Sequence, residues 1–245
     1  MRRCRTPLSA GLLIAGLCLA PVALARHRTP TPTPTIEQLS GGEKVHALID
    51  RVVAVQRSMT SLRAHFRQTK SLKALKAPVV STGILRFRAP DDVRWDYQTP
   101  ERMVVLFANG VLTTYEVSQE RVERVHVPMR QRRFIRVLTG TQPLDQLMTH
   151  FRVTLRDPGG SGPFTLLLEP THRVTRHRVQ KVELEIDRKI LLPVNVEYVA
   201  ANGDSTRYEF SDIEIDPKLS ADVFSLHVGE GAKVKTVGAG SQHAP

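Results

Sequence analysis

Residues 104–115 read VVLFANGVLTTY, and the conformation of this stretch decides the fold. Asn109 and Gly110 both tolerate positive φ, which a type I′ turn needs at its two central positions, and the twist of that turn matches the strands it joins. The runs on either side are rich in β-branched and apolar residues and too short for helices before the turn breaks them. The segment is therefore a β-hairpin.

Reading outward from it, short runs of the same kind recur. On the N-terminal side they are Val93 to Tyr97, Thr82 to Arg88, and a run from Ser61 in which Leu62, Ala64 and Phe66 alternate with Arg63, His65 and Arg67. On the C-terminal side they are Arg121 to Val127, Phe151 to Arg156, Phe164 to Glu169, Val179 to Ile186, Val194 to Val199 and Ser205 to Glu214. Asp157-Pro158-Gly159-Gly160 and Ala201-Asn202-Gly203-Asp204 join several of them tightly. Strands that follow one another without alternating helices predict an antiparallel sheet, so the class is mainly β with short helices, α+β. Early in the chain, helical spacing marks Glu43–Arg57, where Val45, Leu48, Ile49, Val52 and Val53 make one stripe and Ser40 with Glu43 resembles a capping box. A second helical region, Phe134 to Phe151, is broken by Gly140 and Pro143 into two short helices.

The N-terminus has a different character. Arg2, Arg3 and Arg5 precede an apolar run from about Leu8 to Leu19 and the small residues Ala23-Leu24-Ala25, the pattern of a cleaved export signal over residues 1–25. The apolar run falls short of the roughly 20 residues that span a bilayer. Leu17 before Cys18 is not the small residue that lipid attachment there requires. Residues 26–36 contain the Thr/Pro alternation RHRTPTPTPT, which has nothing apolar to bury and reads as a linker. The folded domain is expected over 37–236, and 237–245 reads as a disordered tail. Cys4 and Cys18 are the two cysteines, so no disulfide framework follows the signal, and a periplasmic location is expected.

The formal net charge is +11, and it would stay positive after the three leader arginines were lost. Arg130, Arg132, Arg133 and Arg136 cluster at the helical insert and suit either an acidic partner or transient membrane contact, or an ordinary solvated charged face, whereas export argues against nucleic acid. No catalytic constellation emerges. No HExxH, GxSxG or phosphate-binding loop is present. His172 and His177 stand five apart in a basic loop without a nearby carboxylate, which is not a metal-ligand pattern. Glu183, Glu185 and Asp187 alternate with Leu184 and Ile186, the pattern of a solvated strand face. A non-enzymatic protein without cofactor or metal is expected.

The run RFRAPDDVRWDYQTP at Arg86–Pro100, together with VVLFANGVLTTY, resembles the periplasmic outer-membrane lipoprotein carriers, the LolA family. Around it, SLRAHFRQT is similar to the family's s-F-a-x-F-x-Q, PFTLLLEP to its y-x-L-x-L-x-P, and FSDIEIDPKLSADVFSL to its closing segment. The resemblance implies a single curved antiparallel sheet forming an unclosed β-barrel under a helical lid. It also implies a periplasmic chaperone that takes acylated lipoproteins from an inner-membrane lipoprotein-releasing transporter to the outer membrane, with a possible outer-membrane receptor. A lipid-sensing regulatory module or an outer-membrane receptor of the same fold is the alternative, and a monomer is expected. In carriers of this family an arginine directly precedes the motif's proline and helps control release. Here Ala89 precedes Pro90, Arg88 is one residue earlier, and Val93 replaces an aromatic two residues before Trp95.

A curved sheet with one apolar face must cover that face, and the few helices are too short to do so permanently. A concave apolar cavity is expected. Its candidate lining is Phe66, Leu85, Phe87, Trp95, Tyr97, Val104, Leu106, Leu112 and Tyr115 from strands and Phe134, Leu138 and Leu147 from the lid, with Arg88 and Val93 as candidates for lid and release control.

Overall fold

The computed structural model describes residues 34–128, 143–228 and 231–237, and the elements lie in the unit that begins at Ile36. Its strands are β1 Ser61–Ser71, β2 Val79–Arg88, β3 Asp92–Thr99, β4 Met103–Ala108, β5 Val111–Glu116 and β6 Arg121–His126, then β7 Phe151–Arg156, β8 Phe164–Pro170, β9 Val179–Ile186, β10 Pro193–Ala200, β11 Ser205–Ile215 and β12 Lys233–Val237. They form one sheet in the order β12-β6-β5-β4-β3-β2-β1-β11-β10-β9-β8-β7. β7 and β12 are its outer strands and do not pair with each other, so the barrel is not closed. Every pairing is antiparallel except that of β12 with β6, which is parallel. This last strand, KVKTV, escapes the antiparallel expectation because its partner precedes it by about a hundred residues and no local turn joins them.

The hairpin forms as its turn residues dictate: Asn109 and Gly110 sit at φ +52° and +78°, and β4 and β5 flank them with Ala108 opposite Val111. The long helix, α1 (Gly41–Ser58), buries Leu48, Ile49, Val52, Val53 and Gln56. Ser40 stands before it as the cap residue, but its side chain makes no capping hydrogen bond, so the capping-box expectation is not met. The second helix, α2, is Leu144–Met148, and a single turn, α3, is Arg173–Arg176. The Leu144 N–H donates to Gln56 Oε1 at 3.2 Å, and Arg57 pairs with Asp145 at 2.5 Å, so α1 and α2 are joined.

Strand alternation divides the sheet into two faces. On the inner face, Leu62, Phe66, Leu85, Phe87, Val93 and Trp95 join Leu166, Leu168, Val182, Leu184 and Val196 in one core with the α1 stripe. The outer face of the central strands carries ion pairs: Arg63 with Glu214, Arg86 with Asp96 and Arg88 with Asp92 across strands, and Arg94 with Asp96 along β3. Glu183 and Glu185 belong to that face as expected, Glu185 accepting from Asn195 Nδ2 at 2.5 Å. Asp187 differs, because its Oδ1 accepts the Lys189 and Ile190 N–H groups and caps the turn into β10.

Part of the outer face is also covered. The Arg94 Nη1 donates to the carbonyls of Val223 at 2.9 Å and Ser225 at 3.2 Å. These bonds hold the short turn Ala221–Phe224 against β3 and bury Phe224.

Candidate functional site

The inner face is richest in aromatic rings where β3, β2, β1 and β11 lie side by side. Phe66 meets Trp95 edge-on at a centroid distance of 4.7 Å and Tyr97 at 5.0 Å. Trp95 also lies 5.0 Å from Tyr208 and 6.2 Å from Phe210. The cluster exists because β2 carries no side chain at its centre: Gly83 lies opposite Phe66, and a Cβ there would stand 2.8 Å from the Phe66 ring and 2.1 Å from the Asp96 carbonyl oxygen. Glycine is required at this position by close approach.

Polar groups interrupt the apolar surface at Gln68 and Ser81, which lie opposite each other on β1 and β2. Gln68, two residues beyond Phe66 on the same face, is 2% exposed, and its Nε2 donates to the Tyr208 hydroxyl at 2.5 Å. Burial pushes the Tyr97 and Tyr208 phenols up, so both stay neutral near pH 7 and act as hydroxyl groups rather than charges. The site combines a broad apolar surface with a few uncharged hydrogen-bonding groups, the lining expected for an apolar ligand with a small polar head.

The cluster grades from closed to open. Phe66, Trp95 and Tyr208 are buried, whereas Tyr97, Val105, Leu112, Tyr198 and Phe210 are half-buried at its margin. In this conformation, Phe66, Leu85, Phe87 and Trp95 pack against the protein's own side chains.

The strand pairing places the sequence candidates as follows. Phe66, Leu85, Phe87, Val93, Trp95, Tyr97 and Leu112 share the inner face. Val104, Leu106 and Tyr115 do not: Leu106 lies opposite Arg94, and Val104 opposite Asp96 and Tyr115, all on the outer face. The corresponding inner residues of β4 are Val105, opposite Trp95, and Phe107, opposite Val93. VVLFA is apolar at every position, so its alternation carries no phase, and only pairing with β3 assigns a side. Arg88, expected at the mouth, also lies on the outer face, where it binds Asp92 at 2.6 Å and stacks 4.4 Å over the Phe224 ring. Leu147 belongs to α2. Phe134 and Leu138 lie outside the described residues, as do Arg130, Arg132, Arg133 and Arg136.

Gln68, Tyr208 and Phe210 were not among the sequence candidates. Gln68 was findable, since it continues the inner-face phase of Leu62, Ala64 and Phe66. Among the described residues no group of three histidine, cysteine, aspartate or glutamate side chains is placed to hold a metal ion.

A sequence model of the family described as outer membrane lipoprotein carrier protein LolA matches residues 57–227. No curated protein matches by sequence. Among solved structures, an uncharacterized conserved protein from Thermus thermophilus is 11% identical with a TM-score of 0.50, over 79% of this chain and 99% of that one. MucB is 16% identical with a TM-score of 0.49 over 76% of this chain, which spans 64% of the MucB chain. The Mycobacterium tuberculosis lipoprotein LppX is 10% identical with a TM-score of 0.46, over 74% of this chain and all 100% of that one.

Proposed function

Because the chain belongs to the family of outer membrane lipoprotein carrier proteins, LolA, we propose that it is a periplasmic carrier that shields the acyl chains of lipoproteins on the inner face of its unclosed sheet and ferries them from the inner to the outer membrane. The observation that carries this reading is the graded aromatic cluster, closed around Phe66 and Trp95 and half-buried at Tyr97, Val105, Leu112 and Phe210.

The energetics favour such a surface. Each CH₂ kept from water contributes about 0.8 kcal/mol, so a long acyl chain needs a shield worth on the order of 10 kcal/mol to cross an aqueous space. In the empty protein the inner face is satisfied by its own contacts, and cargo competes with them. Loading starts where the self-contacts are weakest, at the half-buried margin, and spreads toward Trp95. A small free-energy difference between self-packed and loaded states permits both uptake and release. Gln68, Tyr97 and Tyr208 offer hydroxyl and amide partners to the ester groups that join acyl chains to a lipoprotein's modified terminus. The partners of this role are acylated lipoproteins and the membrane complexes that load and accept them.

The test is incubation of the purified protein with membrane vesicles bearing a labelled lipoprotein. Label passing into the soluble fraction is the expected result, reduced at least about tenfold by Leu112→Asp, which puts a charge on the margin of the oily face. Label that stays with the vesicles, where a known carrier releases it, overturns the proposal.

A further inference from the structure

One end of the sheet concentrates exposed apolar tips among cations. The connections between β1 and β2, β8 and β9, and β10 and β11 all lie there, as the pairings of Ser71 with Ser205 and of Ala200 with Val179 require. The third connection bridges the other two. The Ala201 N–H donates to the Arg178 carbonyl at 3.1 Å, and Gly203 lies against the Lys73 side chain.

The apolar tips are Val174, 75% exposed at the crown of α3, and Leu75, 48% exposed in the β1–β2 connection. Val174 stands between Arg173 and Arg176, and Leu75 between Lys73 and Lys76. The stretch Pro170–Val182, PTHRVTRHRVQKV, contains no acidic residue. Asp204, the acid of the bridging turn, is engaged by the Lys73 backbone N–H at 2.8 Å and by Asn202. Beneath α3 is a cleft of about 430 Å³ lined in part by Arg152, Glu169, Pro170 and Arg176. Glu169 is the carboxylate in that lining, against two guanidinium groups.

Apolar side chains held out in water and ringed by arginine and lysine suit one environment, the boundary of an anionic bilayer. There the tips enter the acyl–headgroup boundary while the cations meet phosphate oxygens. An acidic protein surface would satisfy the charges but gives no reason for both apolar tips to stand at the same end. We propose that this end of the sheet is a docking surface for anionic phospholipid membranes, with Leu75 and Val174 as shallow anchors, Lys73, Lys76, Arg173 and Arg176 as headgroup contacts, and the Arg152–Arg176 cleft as a seat for a phosphodiester. The surface is distinct from the aromatic inner face and does not depend on the carrier reading.

Cosedimentation of the full chain with empty vesicles, free of lipoprotein, tests it. Binding to phosphatidylcholine mixed with phosphatidylglycerol, weakened by salt, and little binding to phosphatidylcholine alone are expected. The double variant Lys76→Glu, Arg173→Glu weakens binding at least about 25-fold, since each cation near the surface contributes about fivefold. Leu75→Ser with Val174→Ser weakens it with the salt dependence intact. The same charge change at exposed Arg124 and Lys218, away from this end, alters binding several-fold less. Equal binding to both lipid mixtures, equal losses from the two charge variants, or full binding by a Lys76→Glu, Arg173→Glu protein that melts like wild type overturns the proposal. Retention of inorganic phosphate without vesicle binding overturns it in favour of a soluble anion. Lipoprotein uptake by the inner face is measured separately, so either failure is distinguishable from the other.

Discussion

Gly83 shows how much of the site depends on one missing methyl group. An alanine there would place its Cβ 2.1 Å from the Asp96 carbonyl oxygen and 2.8 Å from two atoms of the Phe66 ring. The oxygen belongs to the neighbouring strand's backbone and cannot move without breaking the β2–β3 pairing. Gly83→Ala is therefore expected to lower stability by about 3 kcal/mol, and to shift the near-ultraviolet circular dichroism of the Trp95 cluster; urea denaturation gives the first quantity. A loss below about 0.5 kcal/mol would mean that the strands are not this close. The same position explains why the tryptophan and its neighbours form a cluster rather than a row. Phe66 fills the space above the glycine, Trp95 and Tyr97 meet that ring, and Tyr208 packs on Trp95.

At the scale of elements, α1 is held by its apolar stripe more than by its ends. Ser40 makes no side-chain cap, while Leu48 and Val52 are completely buried against the sheet's core. Leu48→Ala is expected to cost about 2–5 kcal/mol, measured by thermal or urea unfolding, whereas Ser40→Ala should fall within about 0.5 kcal/mol of wild type. The reverse order would show that the cap anchors the helix. The hairpin and the helix stripe were both legible in the sequence, because a positive-φ turn and a helical period are local properties. The side on which Val104, Leu106 and Tyr115 stand was not legible. In a strand apolar at every position, a one-residue change of phase exchanges the faces without changing the composition. Arg88 belongs with these: its place beside Asp92 and Phe224 depends on a turn more than a hundred residues later.

Across the whole molecule, a polar knot ties the first helix to two distant turns at the other end of the sheet from the proposed membrane surface. Asp157 receives Lys44 of α1 at 2.5 Å, the Gly159 N–H at 2.9 Å and the Arg188 guanidinium, which stacks 3.9 Å over the Phe164 ring. The Lys44 contact, helped by the other donors, lowers the Asp157 pKa from 3.8 to about 2 despite some opposing burial. A carboxylate with a depressed folded pKa stabilises the fold fully above its unfolded value, and that contribution disappears as the pH falls through the window from 3.8 toward 2. Asp157→Asn is thus expected to be less stable than wild type at neutral pH and to lose less on acidification through this window. Denaturation midpoints across pH would check it, and parallel curves for the two proteins would refute it.

The sequence alone determined the number and bounds of most strands, the hairpin at Asn109-Gly110 and the helix before β1, and the order of its motifs pointed to the carrier family. Each of these follows from φ preference, side-chain period or spacing along the chain. Only the tertiary structure decided which residues share the inner face, that Gln68 and Tyr208 meet there, that β12 adds in parallel to β6, and that basic loops with apolar tips converge at one end. These depend on register and on contacts between residues far apart in the chain, and no local periodicity encodes either.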